Sequence, residues 1–183
     1  MRVAVTGTPG TGKTTVTDRL AEEAGVELEV EADVVHLNEV IREEGFHDGA
    51  DPERGSLYAD LEAVADWLDA REDAGERGRT VVVESHLAHR LPADRVVVLR
   101  CHPDLLRERL RERGEDATTA QENAEAEALD VLLSETVERH DPADVYEIDT
   151  TDRPPAAVAD DVAAAVAGER APSAGAVDFT DWL

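Results

Sequence analysis

Residues 7–14, Gly7-Thr8-Pro9-Gly10-Thr11-Gly12-Lys13-Thr14, match the pattern G-x-x-x-x-G-K-[ST]. They follow a short Val-rich run and open an amphipathic stretch, which is the strand–loop–helix setting the pattern requires. In a chain of this composition the pattern arises by chance roughly 0.0004 times, so a plain glycine-rich turn is the lesser reading. Glycines let the backbone curl until successive N–H groups converge on an anion, and the helix N-terminus adds its positive end. The loop is therefore expected to hold the phosphates of ATP through Gly10, Thr11, Gly12, Lys13, Thr14 and Thr15. Lys13 reaches the β/γ-phosphates and the Thr14 hydroxyl holds Mg²⁺.

The rest of the chain supplies the fold such a loop needs. Residues 3–6, 80–84 and 95–100 are Val-rich runs that read as strands buried on both faces, 145–149 is a weaker one, and a fifth lies within 27–36. Between them, Val16, Leu20 and Ala24, then Leu57, Leu61, Val64 and Leu68, recur at helical spacing. Further helices are expected from Pro103, over 119–139, and over 156–167 after a double proline. Strands alternating with helices predict an α/β fold, a doubly wound parallel sheet of about five strands. The domain is expected to span 1–167, followed by a flexible tail, 168–183, rich in Gly, Ala, Pro and Ser. Phe179, Trp182 and Leu183 at i, i+3, i+4 leave open a hook that docks on the body or on a partner.

Charge narrows the function classes. Against 43 acidic residues stand 18 basic ones, a net charge of −25, and Lys13 is the one lysine. So negative a surface argues against coating nucleic acid or anionic membrane. Sequence-specific nucleic-acid binding is not expected. The acid excess reads as adaptation to molar salt, where screening shortens the Debye length to about 3 Å; coding bias toward Arg is the alternative. Cys101 is the only cysteine, and no run approaches the ~20 apolar residues of a membrane span, so a cytoplasmic, membrane-free protein is expected. Lysine persists where a compact ammonium must thread the loop, a task a planar guanidinium does poorly.

Other candidates lie downstream. Glu84 ends the second Val-rich strand, where a carboxylate reaches Mg²⁺, although a merely solvated strand end would look the same. His86 follows at the ligand-binding end of such sheets; it can position water or a phosphate, or simply cap a helix. Arg100, Arg107, Arg109, Arg111 and Arg113 form a local cationic island. Arg109 and Arg113, at i and i+4, are the candidates for stabilising a transferring phosphoryl group, and a salt-bridged surface helix is the alternative. Arg42, after a helix start, faces either the cleft or an ion pair with Glu39 or Glu43.

These residues carry a resemblance. The loop, 37–44 with Asp48-Gly49, 83–86, 98–100, 106–114, and Asn123 with Glu127 together resemble the adenylate kinase isoenzyme 6 (CINAP) family of archaea and eukaryotes, over nearly all the chain to about Val166. The resemblance implies a nucleoside monophosphate kinase-like fold with a short lid and a helical AMP-binding segment. It further implies adenylate kinase and ATPase activities and a role in maturing the small ribosomal subunit, with a basic ribosomal protein and the pre-ribosome as partners. Under it, Arg42 would hold the AMP phosphate, Arg109 and Arg113 would flank ATP, and Glu84-Ser85-His86 would serve Mg²⁺ and water. Two departures stand out: Glu84 replaces an aspartate, and residues 114–119 form a short lid without arginine, which favours hydrolysis beside transfer. The alternatives are an ATP-driven ribosome-assembly factor in which kinase activity is secondary, and a nucleotide-binding module without catalysis.

Overall fold

The computed structural model describes residues 1–23, 32–50, 57–74 and 79–183. Within them the chain runs β1 (Arg2–Thr6), α1 (Lys13–Glu23), β2 (Ala32–His36), α2 (Leu37–Glu43), β3 (His47–Ala50), β4 (Leu57–Ala59), α3 (Leu61–Ala74), β5 (Thr80–Glu84), β6 (Arg95–Arg100), α4 (Pro103–Glu112), α5 (Ala117–Ala128), α6 (Val131–Val137), β7 (Val145–Asp149) and α7 (Pro155–Ala167). The five long strands form one parallel sheet in the order β2-β5-β1-β6-β7, and β3 and β4 make a separate antiparallel hairpin.

The Val-rich composition follows from burial on both faces. Side chains alternate across a strand, so Val3, Val5, Val82, Val97 and Leu99 meet α1 and α7 on one face, through Val16, Leu20, Val158 and Val162. Ala4, Val81, Val83, Val96 and Val98 meet α2, α3 and α6 on the other, through Leu37, Ile41, Val64, Leu68 and Leu133. β1 lies in the middle: the chain passes from it to β2 at one edge, returns to β5 beside β1, and then crosses to β6 and β7 on the other side. Ligands of such sheets bind in the crevice beyond the strand C-termini at this switch point, where residues 7–14 lie.

Several expectations shift. Residues 24 and 27–31, to which the sequence assigned part of a helix face and of a strand, lie outside the described residues. Leu57 belongs to β4 rather than to the helix of Leu61, Val64 and Leu68. The helix expected over 119–139 is two: it starts earlier, where Asp116 caps the amides of Thr118 and Thr119, and it breaks at Asp130. Asp130 takes a left-handed conformation (φ 53°), tolerable for a short polar side chain, and its carboxylate accepts from Arg100. The break leaves Leu129 in solvent.

Residues 168–183, expected as a flexible tail, are laid against the body. Ser173 N donates to Val145 O (2.9 Å), Glu147 N to Ser173 Oγ (3.0 Å) and Ala176 N to Glu147 Oε2 (2.7 Å). The physical reason is the open edge of β7, whose unpaired backbone groups the segment satisfies. Phe179 then sits with its ring 5.5 Å from Arg100 Cζ, and Trp182 Nε1 donates to Asp104 Oδ1 (3.0 Å) on α4. Leu183, the third residue of the expected hook, stays exposed.

Arg100, expected in the cationic island, is instead internal. At the end of β6 its guanidinium is buried against the carboxylates of Glu127, Glu147 and Asp130. Arg100→Met would leave two buried carboxylates without their cation, so unfolding stability is expected to fall by about 3–5 kcal/mol, read as a shifted urea midpoint at fixed salt. An unchanged midpoint would mean that the carboxylates find other partners.

Candidate active site

β1 delivers the chain into the loop with little room to spare. A Cβ on Gly7 (φ 147°) would fall 2.5 Å from Leu99 O on β6, so only glycine lets the chain turn there. At the other end Gly12 (φ 92°) faces open space, where a side chain would obstruct an approaching anion. Between them the Thr8 carbonyl accepts from Thr11 N (3.3 Å), Thr11 Oγ1 (2.9 Å) and Lys13 Nζ (3.1 Å), and the Gly7 carbonyl also accepts from Lys13 Nζ (2.8 Å). Burial lowers the Lys13 pKa to about 8; Glu84 and Glu127 oppose the shift and Arg113 adds to it.

In the first turn of α1, Thr14 Oγ1 lies 3.4 Å from Glu84 Oε2. Parallel pairing sets this meeting, because Glu84 stands beside Val5 of β1 on one side and His36 of β2 on the other. A hydroxyl and a carboxylate are hard oxygen donors of the kind Mg²⁺ takes, and the extra methylene of glutamate does not keep Glu84 from Thr14. Among the described residues no group of three or more His, Cys, Asp or Glu could hold a metal ion. Such a site fits a cation that completes its shell with water and phosphate oxygens. The sequence reading missed His36, whose Nδ1 lies 3.0 Å from Glu84 Oε2 and whose Nε2 lies 3.2 Å from Asp18 Oδ1. The register of β2 on β5 sets the first of these contacts, and the packing of α1 beside β2 sets the second.

His86 is exposed to solvent and has no hydrogen-bond partner among the described residues. Desolvation first, then Lys13, His89 and Arg90, lower its pKa to about 4, so at pH 7 it is a neutral imidazole able to accept a hydrogen bond. Ser85 before it is tied down, its hydroxyl donating to Asn38 Oδ1 (3.1 Å) on α2.

Arg109 and Arg113 border a cavity of about 320 Å³ with Thr11, Thr15, Thr150 and Arg153. Arg109 Nη1 donates to Gly10 O (3.4 Å), bringing the end of α4 over the loop. Neither arginine has a salt bridge among the described residues, so the salt-bridged helix describes only Arg107, paired with Asp104 at 2.8 Å. Arg153 is the cation the sequence reading missed; it follows β7 and is held by Asp161 (2.9 Å). Arg111 lies away from this cavity, on the α4 face with Arg107. Arg42, in the last turn of α2, is exposed and pairs with neither Glu39 nor Glu43. It lies outside the cavity that holds Arg109 and Arg113.

Comparison with known proteins is consistent with this geometry. A family model described as an AAA domain matches residues 3–130. Proteins named "Putative adenylate kinase" are 58% identical in Natronomonas pharaonis (all of both chains), 53% in Halobacterium salinarum (all of both), and 43% in Methanothermobacter thermautotrophicus (99% of this chain, 98% of the relative). The crystal structure of a sugar kinase from Janibacter sp. shares the fold, with TM-score 0.50 and 20% identity over 88% of this chain and 91% of the other.

Lys13 can attract phosphate only as an ammonium. With its pKa near 8, the charged fraction falls as pH rises through that value. Affinity for Mg·ATP is therefore expected to drop roughly tenfold from pH 7 to pH 9 in calorimetric titrations, and to stay flat in Lys13→Met. A flat wild-type profile would contradict the role.

Proposed function

The chain belongs to the archaeal adenylate-kinase-like family of P-loop kinases, and we propose that it transfers the γ-phosphoryl group of ATP to AMP, giving two ADP. The finer membership proposed is the adenylate kinase isoenzyme 6 (CINAP) family. The observation that carries the reading is the Lys13-threaded loop with Thr14–Glu84 to one side and, to the other, Arg109 and Arg113, which have no acidic partner among the described residues. That is a set of fixed cations and oxygen donors around one phosphate chain.

In this reading the ATP nucleoside lies in the cavity beside Arg109, Arg113 and Arg153, and the loop amides and Lys13 take its phosphates. Mg²⁺, bound through Thr14 and Glu84, would neutralise charge on the β- and γ-oxygens. Arg42 holds the AMP phosphate on the side of the loop away from that cavity. An AMP phosphate oxygen, already a nucleophile, forms the new P–O bond in line as the bond from γ-phosphorus to the β,γ-bridging oxygen breaks. No general base is required, and Arg109 and Arg113 take up the charge spread over the transferring group.

A second reading, ATP hydrolysis in small-subunit ribosome maturation, is favoured by His86. A neutral imidazole near Lys13 can orient a water molecule, and residues 114–116, between Arg113 and α5, make a short, exposed lid without arginine. The acid excess, together with relatives in Natronomonas and Halobacterium, supports work in molar salt, and we place the protein in the cytoplasm. No helix of the described residues is long and apolar enough to cross a membrane.

Purified protein in molar KCl is expected to form ADP from ATP, AMP and Mg²⁺, and Lys13→Met to form none. Arg42→Ala should raise the KM for AMP roughly 10- to 100-fold while leaving that for ATP near wild type. His86→Ala should reduce hydrolysis measured without acceptor and spare ADP formation from AMP. Absence of acceptor-dependent ADP from the wild-type protein would sink the kinase reading.

A further inference from the structure

Of residues 7–12, Thr8 is the one whose side chain is anchored outside the loop: its hydroxyl donates to Glu127 Oε2, from α5, 119 residues away. Its carbonyl is also where the loop converges, accepting from Thr11 twice and from Lys13. Whatever holds Thr8 therefore holds the acceptors of the lysine and the curl of the loop.

Glu127 is 3% exposed. A carboxylate taken so far from water must be paired and hydrogen-bonded on both oxygens. Oε1 accepts from Arg100 Nε (2.7 Å) and from Cys101 N (3.1 Å), so one oxygen is committed to the end of β6. Oε2 is left to the loop, with the Thr8 hydroxyl upon it. Arg100 is in turn braced by Glu147 and Asp130, and the second oxygen of Glu147 accepts from Ala176 N (2.7 Å) and Val177 N (3.4 Å). Each group in this line is fixed by the next, from the loop to the segment that covers the β7 edge. Pairing with Arg100 uses only Oε1, so the guanidinium alone does not account for the second contact. Glu127 also draws the Lys13 ammonium toward its charged form.

We propose that Glu127 is a positioning residue for nucleotide binding, acting through the Thr8 hydroxyl to keep the phosphate loop in its receptive curl. The inference rests on the reading of residues 7–14 as a phosphate site and is independent of which acceptor is used. Glu127 touches no substrate; it sets where the Thr8 carbonyl stands, and so where Lys13 and the loop amides point. A loop already curled loses less conformational freedom on binding, so the effect belongs in affinity for ATP rather than in the rate of the chemical step.

The test separates positioning from packing by leaving the Arg100 pairs in place. Thr8→Val keeps shape and removes the hydroxyl, whereas Thr8→Ser keeps the hydroxyl. Mg·ATP dissociation constants are measured by calorimetry in molar KCl, alongside melting temperatures and kcat. Thr8→Val is expected to weaken binding about tenfold with kcat less affected, and Thr8→Ser to recover most of that loss. Glu127→Gln should weaken binding less in Thr8→Val than in the wild-type chain, because the part of its effect that passes through the Thr8 hydroxyl is already gone there. Wild-type affinity in Thr8→Val, or effects of the two changes that multiply, would overturn the inference. If Glu127→Gln does not fold, the Thr8 pair decides alone. A wild-type chain that binds no Mg·ATP would instead remove the reading of the loop itself.

Discussion

A buried ammonium needs acceptors, and Lys13 takes two backbone carbonyls, Gly7 O and Thr8 O, from the loop that its own helix closes. Much of the molecule follows from making that arrangement possible. The loop must fold back far enough for its carbonyls to face the lysine, which puts Gly7 against Leu99 O and leaves no space for a Cβ. Leu99 must therefore be adjacent, so β6 lies beside β1. The carboxylates that favour the charged lysine come from β5 on the other side and from α5, through Glu127 at the end of β6. A central β1 is the position in a parallel sheet from which one loop can be reached from both neighbours.

The same economy governs the arginines. A net charge of −25 describes how the surface meets solvent, and it says little about where individual cations go. Arg100 is neutralised internally by three carboxylates, and Arg2 by Asp69 and Glu72. Arg107 is turned toward Asp104 and the ring of Trp182. Arg109 and Arg113 remain at the cavity without acidic partners among the described residues, although α4 interleaves them with glutamates.

Residues separated by a few positions were legible from the sequence. The loop's own pattern places Gly12, Lys13 and Thr14 in one turn, and Val-rich runs identify the long strands because burial on both faces demands apolar side chains at every position. Arg109 and Arg113 share a helix face by spacing alone. Residues brought together by pairing and packing were not legible. His36 meets Glu84 only through the register of β2 on β5, and Asp130 breaks its helix where it reaches Arg100, a contact of sequence separation 30. The segment 168–183 has the composition of a linker, and it is laid down because β7 ends the sheet with unpaired backbone groups, which no local pattern announces.

The sequence by itself determined that this chain carries a phosphate loop on a parallel α/β sheet, because the loop's conformation depends on glycines and a lysine whose spacing is local. Tertiary structure alone decided which distant groups complete it. Glu127 reaches Thr8, and Glu84 reaches Thr14, across separations of 119 and 70 residues. Buried charges find their partners through the order of the strands, and that order is a property of how the layers pack rather than of any stretch of the chain.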